Sequence, residues 1–451
     1  MIKNIKYWLF SGSMLVLSAS CAGKLDVEPT QSISETAALA TEKDVLVTLV
    51  GAYDGLSDGD VYGGAFQYIT ELMGDDRELV FGGTSLAIDE LWRKSTTLGN
   101  TQVLNTWSNA YVAINRANNV LSAVDKVGTA SRGKVEGEAR FIRGAIYFGL
   151  VKLWGKAWGD GDNAVNPGVP LVLIPTRVIS EKDNVARASV AQIYAQVIDD
   201  LTKAEAALPA GPSGFATKGA AAALLARVYL QQQNYTLARD AANRAIATTG
   251  KALTGTFADA FLDANNESES LWRIIVSDQD GTNSLKTYFA STANQGLGAV
   301  RVQAKHLATY APDTTADVRW KFFTAQTSLR LTSKFNERFN DVVVIRLAEM
   351  LLTRAECNFR LSETTGATPL EDINKVRTRA GVPAYTAANL TLAAILRERR
   401  LELAFEGIQL DDSKRLRASV GALPWNDNKL VLPIPQREID INKNLKQNPG
   451  Y

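Results

Sequence analysis

The stretch ALLARVYLQQQNYTLARDAANRAIATTG, residues 223–250, reads as two helices joined by a short polar turn. Before the turn come Leu225, Ala226 and Tyr229; after it come Ala238, Ala242 and Ala245. Apolar and small residues at three- and four-residue spacing form one stripe along an α-helix. Alanines on facing stripes let two antiparallel helices approach closely, and the Tyr229 ring fills the gap between them.

Leu225, Ala226 and Tyr229 fall at the Leu, Gly and Tyr positions of a tetratricopeptide-like unit. Ala242 stands where the second helix of such a unit usually carries an aromatic. One hairpin of this kind cannot bury its face alone, so further helix pairs must stack on it. The flanking sequence supplies them. Helical spacing predicts helices over about 42–56, 101–126, 132–154, 188–208, 217–232, 234–249, 342–361, 369–380 and 390–406. The stretches 57–83 and 155–187 are punctuated by Gly, Asp or Pro, and 250–340 has poor periodicity. Long alternating strand patterns are almost absent, so the fold class is mainly α.

Composition narrows the function. Lys+Arg 49 against Asp+Glu 48 leaves a net charge of +1, so nucleic acid is not an expected partner. His306 is the one histidine, which excludes His-rich metal sites and catalysis by paired histidines. There is no nucleophile elbow, phosphate loop or metal-spaced Cys/His set, so no cofactor is expected.

The chain starts with Lys3 and Lys6, then an apolar run from Tyr7 to Leu17 broken by Ser11, Gly12 and Ser13, then Ser18, Ala19 and Ser20 before Cys21. That is the layout of a signal peptide over residues 1–20, and the apolar run is too short to span a bilayer. A cysteine after the small residues resembles a bacterial lipobox, with Leu17 four rather than three residues ahead of it. The resemblance implies lipidation at Cys21. Cys357 then has no disulfide partner and reads as a small core residue.

Candidate binding residues lie in the irregular segments. GDDRE at 74–78 offers Asp75, Asp76 and Arg77 as acceptors and donors for sugar hydroxyls, or as a solvated loop or helix cap. The two acids are adjacent, unlike the separated pair of a glycosidase. Of Trp92, Trp272, Tyr288, Tyr310 and Trp320, one or two are expected to present a ring face to a sugar and the rest to pack internally. Trp107, Trp154 and Trp158 read as structural. DQDGTN at 278–283 fails the calcium-loop pattern, with Asn283 at position six and Phe289 at position twelve, and reads as a turn. In RERRLELAFEG, Glu398, Glu402 and Glu406 recur every four residues and repel one another. They require cations from elsewhere, such as Arg377 or Arg379, in a buried or half-buried ion network. His306 is expected in a loop or at the surface.

An ordered set of motifs resembles the RagB/SusD family of Bacteroidetes outer-membrane lipoproteins. It comprises LDVEP at 25–29, WSNAYVAINRANNVL at 107–121, GEARFIRGAIYFGLVKLWG at 137–155, IRLAEMLLTRAEC at 345–357, INKVRTRAGVP at 373–383, RERRLELAFEG at 397–407 and LPIPQREIDINKNLKQNPGY at 432–451. The sequence departs from many members in IQLDDSKRLRA at 408–418, which has Gln409 and no Trp.

The resemblance implies a SusD-like fold, with tetratricopeptide-like helical pairs packed against an irregular, loop-rich ligand-binding part. It implies an N-terminal helical region over 21–250 and a C-terminal region over 251–451. It also implies a lipid-anchored protein on the outer membrane, facing outward, that binds glycan and delivers it to a SusC-like TonB-dependent transporter. Members have no known catalytic centre. Peptide capture is the alternative within the family; a surface polysaccharide hydrolase and a purely structural repeat scaffold are alternatives outside it.

Overall fold

In the computed structural model, residues 39–177 and 180–451 are described. The signal-peptide stretch 1–20, Cys21 and LDVEP lie outside the described residues. The elements run α1 (Glu42–Ser57), α2 (Ala65–Gly74), β1 (Leu79–Phe81), α3 (Leu86–Arg93), α4 (Thr101–Ser122), α5 (Thr129–Trp154), β2 (Pro167–Pro170), β3 (Arg187–Ser189), α6 (Val190–Ala207), α7 (Lys218–Gln231) and α8 (Tyr235–Thr249). Then come β4 (Ser270–Ile274), α9 (Ser284–Phe289), β5 (Val300–Val302), α10 (Ala304–Ala308), β6 (Phe323–Gln326), β7 (Leu329–Thr332) and β8 (Val342–Arg346). The chain closes with α11 (Leu347–Leu361), α12 (Pro369–Arg379), α13 (Leu392–Glu402), α14 (Gln409–Arg415) and α15 (Gln436–Ile441).

The long helices form a continuous row. α1 packs on α4, α4 on α5, α5 on α6, α6 on α7, α7 on α8 and α8 on α11, which carries α12 and α13. In the hairpin α7–α8, Leu225, Ala226, Ala238, Ala242 and Ala245 are buried, as the spacing predicts, and Tyr229 packs at the edge of the core. Helix starts follow local chemistry. Thr41 accepts the Asp44 N–H while an Asp44 carboxylate oxygen accepts the Thr41 N–H at 2.9 Å, so α1 begins where a capping box puts it. The fold is therefore mainly α, with tetratricopeptide-like pairs, as expected.

Three features differ from the sequence reading. First, α2 and α3 lie in stretches read as irregular or loop-like. Every residue of α2 is buried; its polar residues Gln67, Thr70 and Glu71 do share one stripe, but the helix is only ten residues long and lies within Gly- and Asp-rich sequence that reads as a loop. Second, the described residues contain four two-stranded antiparallel sheets, β1–β5, β2–β3, β4–β8 and β6–β7. Their strands are three to five residues long, too short to show alternation. The β1–β5 pair sets Leu79 opposite Val302 and Phe81 opposite Val300, joining two distant segments. Third, α13 ends at Glu402, and Phe405 and Gly407 beyond it take φ of 70° and 81°.

The expected ion network is present and buried. Glu398 accepts from Arg319 at 2.6 Å and from Arg377 at 2.7 Å. Glu402 is paired with Arg346 at 2.5 Å, Arg319 at 3.2 Å and also Arg379. Glu406 is paired with Lys334 at 2.6 Å and Arg346 at 2.7 Å. Glu269 joins Arg346 to Arg379, and Asp317 holds Arg319. The cations Arg319, Lys334, Arg346, Arg377 and Arg379 thus balance the carboxylates Glu269, Asp317, Glu398, Glu402 and Glu406. Burial alone would raise the Glu402 carboxyl; Arg379, Arg346 and Arg319 outweigh it and hold the group well below the usual carboxylate range.

Removing one member strands its partners without solvent. Glu402→Gln is expected to cost about 3–5 kcal/mol, read as a lower urea midpoint. Because the folded pKa is depressed, the Glu402 contribution is complete above the unfolded carboxylate value of about 4.3 and is lost as pH falls through the folded value. The stability gap between the native chain and Glu402→Gln should therefore hold from pH 8 to pH 5 and narrow only below about pH 4.

Candidate functional site

The candidate site is built where α2 ends. A Cβ at Gly74 would lie 2.3 Å from the Leu410 nitrogen, so the chain passes directly over the start of α14. It then turns through Asp75–Arg77, with Arg77 in the left-handed region at φ 62°, and enters β1. Asp75 organises the turn. One carboxylate oxygen accepts the N–H groups of Glu78 at 2.7 Å and Leu79 at 2.8 Å; the other accepts the Trp92 indole N–H at 3.2 Å. The same indole N–H also reaches the Leu79 carbonyl at 3.2 Å, and the Lys94 ammonium donates to the Asp75 carbonyl at 2.8 Å. Burial pushes the Asp75 carboxyl up, against the Lys94 ammonium and the donors that favour the carboxylate.

Asp76 ties in two further segments. It pairs with Lys305 on α10 at 2.7 Å and accepts the Gly421 N–H at 2.9 Å. Val420 and Leu423 exchange backbone hydrogen bonds of 2.9 and 3.0 Å, closing a tight turn at that point. Between this turn, β1 and the end of α3 lies an open cleft of about 490 Å³. Asp75, Arg77, Trp92, Lys94, Gln303 and Lys429 are among its lining residues. Trp92 is half-buried in the wall, and the Arg93 guanidinium, held by Asp89 at 2.7 Å, lies 5.0 Å from its ring centroid.

Behind the cleft a second, buried layer fixes the turn. Glu71 on α2 accepts the N–H groups of Gly407 at 2.8 Å, Ile408 at 2.9 Å and Gln409 at 3.3 Å. Burial pushes its carboxyl up to about 7 despite these donors. Glu78 is shared between Arg400 and His306, whose Nδ1 lies 2.8 Å from a Glu78 oxygen. His306 is not in a surface loop as expected; it sits on α10 at 2% exposure. Burial, and then the Lys334 ammonium, push it down to about 4. The ring is thus neutral at pH 7, and Nδ1–H donates to Glu78.

The structure brings Asp75, Asp76, Arg77 and Trp92 together at one place. It does not bring the other aromatic candidates there. Trp272 on β4 is 1% exposed, with Tyr62 and Phe141 ring centroids 4.7 and 4.9 Å away, so it is a core residue with no face for a ligand. Tyr310 is 2% exposed beside His306 and Phe323, and is likewise core. Tyr288 is half-buried and meets Tyr68 edge-on at 5.2 Å. Trp320, 39% exposed, follows Arg319 of the ion network and is not among the residues lining the cleft. Lys94, Gln303, Val420–Leu423 and Lys429 were not singled out by sequence. Lys94 lies two residues after Trp92, a local signal; the others reach the cleft only through the β1–β5 pairing and the Asp76–Gly421 hydrogen bond.

A family model described as "Starch-binding associating with outer membrane" matches residues 25–230, and one described as "SusD family" matches residues 280–429. The cleft draws residues from both spans. A SusD-like protein of Formosa agariphila is 26% identical, with 100% of this chain and 99% of that protein covered. Among solved structures, a putative sugar binding protein from Bacteroides vulgatus is similar with a TM-score of 0.82 at 27% identity, covering 91% of this chain and 99% of the other. A laminarin binding SusD-like protein is similar in fold, with a TM-score of 0.74 at 22% identity over 91% of this chain and 100% of that one.

The buried histidine gives a pH test of this layer. Its folded pKa lies below the unfolded value of about 6.5, so only the unfolded chain gains a proton as pH falls from 6.5 toward 4. Stability is lost over that window. Relative to His306→Gln, the native chain should lose about 2 kcal/mol between pH 7.5 and pH 5, measured by urea denaturation at each pH.

Proposed function

The chain belongs to the SusD/RagB family, and we propose that this member captures a glycan in the cleft beside Trp92 and passes it to a SusC-like TonB-dependent transporter at the outer membrane. The observation that carries the reading is an indole set in the wall of an open cleft, with its N–H fixed by a buried carboxylate. Such a ring offers a flat apolar surface to the C–H face of a sugar. Around it, Arg77, Lys94 and Gln303 supply donors and an acceptor for hydroxyls. Because Asp75 and the Glu71 and Glu78 layer hold the cleft wall, little ordering cost attends binding. The sugar-binding relatives support carbohydrate as the ligand class.

The site works as a receptor, not as a catalyst, in this reading. Both Asp75 oxygens are committed to internal donors, and Asp76 is held by Lys305 and Gly421. Attachment comes from acyl chains on Cys21. Among the described residues no helix is long and apolar enough to cross a membrane.

Protein spanning residues 22–451, run in native gels cast with a panel of polysaccharides, should be retarded by at least one. Trp92→Ala should abolish the retardation while its circular dichroism remains native; unchanged retardation would remove the cleft from the reading. In cells, Cys21→Ser should eliminate incorporation of labelled palmitate and release the protein from the membrane fraction.

A further inference from the structure

The cleft continues into neighbouring depressions on both sides. It shares Lys94 and Lys429 with one of about 370 Å³, and Gln303 with another of about 480 Å³. The three depressions, which meet at Lys94, Lys429 and Gln303, are taken together as one trough. Its side-chain cations are Arg77, Arg93, Lys94, Arg301, Arg330 and Lys429, and its side-chain carboxylates are Asp75 and Asp427. The whole chain carries a net charge of only +1, so the excess of positive charge here is local.

The cations of the trough are also poorly answered from within. Elsewhere arginines meet carboxylates, as in the buried network. In the trough, Arg93 meets Asp89, while Lys94 and Arg301 donate to backbone carbonyls. The side chains of Arg77 and Lys429 make no hydrogen bond or ion pair among the described residues, and both are exposed. Asp75 forms no ion pair with either: its oxygens accept from the N–H groups of Glu78, Leu79 and Trp92, and the cation nearest in effect is Lys94. One Asp427 oxygen accepts the Lys429 backbone N–H at 2.9 Å. Like charges gathered along a concave wall repel one another and focus a positive potential into it. A neutral sugar relieves none of this; an anionic group does, through charge-assisted hydrogen bonds.

We propose that the ligand is an extended acidic polysaccharide, with carboxylates or sulfate esters set on Arg77 and Lys429 while a sugar ring meets Trp92. The inference rests on the glycan reading above and names the class of glycan. A guanidinium binds a carboxylate or a sulfate in a two-toothed fashion, and Lys429 acts as a point charge that follows either. The outer cations, Arg301 and Arg330, engage charges farther along the same chain.

The test measures affinity by gel retardation and calorimetry at 50 and 300 mM NaCl. The probes are alginate, which carries carboxylates alone, dextran sulfate, which carries sulfates alone, the neutral polymers amylopectin and laminarin, and duplex DNA. Binding to alginate or dextran sulfate, weakened by salt, is expected, and whichever binds identifies the anionic group. Arg77→Gln and Lys429→Gln should each weaken it about tenfold, and the double variant should flatten the salt dependence. Both positions are exposed and unpaired, so the fold is unaffected. Binding confined to neutral polymers, or acidic binding untouched by the double variant, would overturn the acidic class and leave the glycan reading standing. Retardation by no polysaccharide would overturn the glycan reading itself. DNA binding as tight as that of the acidic glycans would overturn the proposal in favour of an unselective polyanion surface.

Discussion

Glu402 lies in the last turn of α13 with Arg319, Arg346 and Arg379 gathered around it, and segments from Glu269 to Glu406 meet on this cluster. Arg346 ends β8 and leads into α11, Arg379 ends α12, Arg319 comes from the loop ahead of β6, and Glu269 precedes β4. Taking each charge out of water costs several kcal/mol, which is recovered only when every partner is in place. A helix row and an irregular part joined in this way have one acceptable register. Any slip of α13 leaves buried charges unpaired, a penalty far above that of a misfitted methyl group.

From this cluster a chain of contacts leads to the cleft. Glu406, held by Lys334 and Arg346, is followed by Gly407, whose N–H begins the set of donors to Glu71. Glu71 belongs to α2, which is packed tightly: a Cβ at Gly149 of α5 would come within 2.6 Å of the Phe66 ring. The end of α2 delivers Asp75, and Asp75 fixes Trp92. The binding wall is therefore an extension of the core. Its rigidity comes from backbone and indole N–H groups held by the buried Glu71 and Asp75 carboxyls, where water competes little. The opposite economy holds at the rim, where Arg77 and Lys429 remain in solvent without partners. Charges neutralised inside and left open outside are two uses of the same residue types, separated by burial.

Much of this was legible in the sequence, and the misses follow a pattern. The hairpin at 223–250 and the demand for cations around Glu398, Glu402 and Glu406 are readable, because each rests on spacing within one short segment; Asp75, Asp76 and Arg77 form a cluster in sequence, but only the fold sets Trp92 beside them. Trp272 and Tyr310 fall among the candidates expected to pack internally, but which of the five do so is not legible, because an irregular flanking sequence says nothing of burial; β4 pairs with β8 across about seventy residues, and that pairing turns Trp272 inward. α2 is hidden because it is only ten residues long and is flanked by Gly- and Asp-rich sequence that reads as a loop.

Spacing along the chain is enough for the long helices of the row, for the need for cations around three glutamates and for the family. These depend on interactions between residues a few positions apart, where geometry is set by the backbone. Only the tertiary structure decided which aromatic meets solvent, that His306 is buried and neutral, and that Lys429 and Gln303 share a cleft with Trp92. Those outcomes depend on contacts between segments hundreds of residues apart, whose register is set by the packing of the whole core and leaves no periodic trace in the chain.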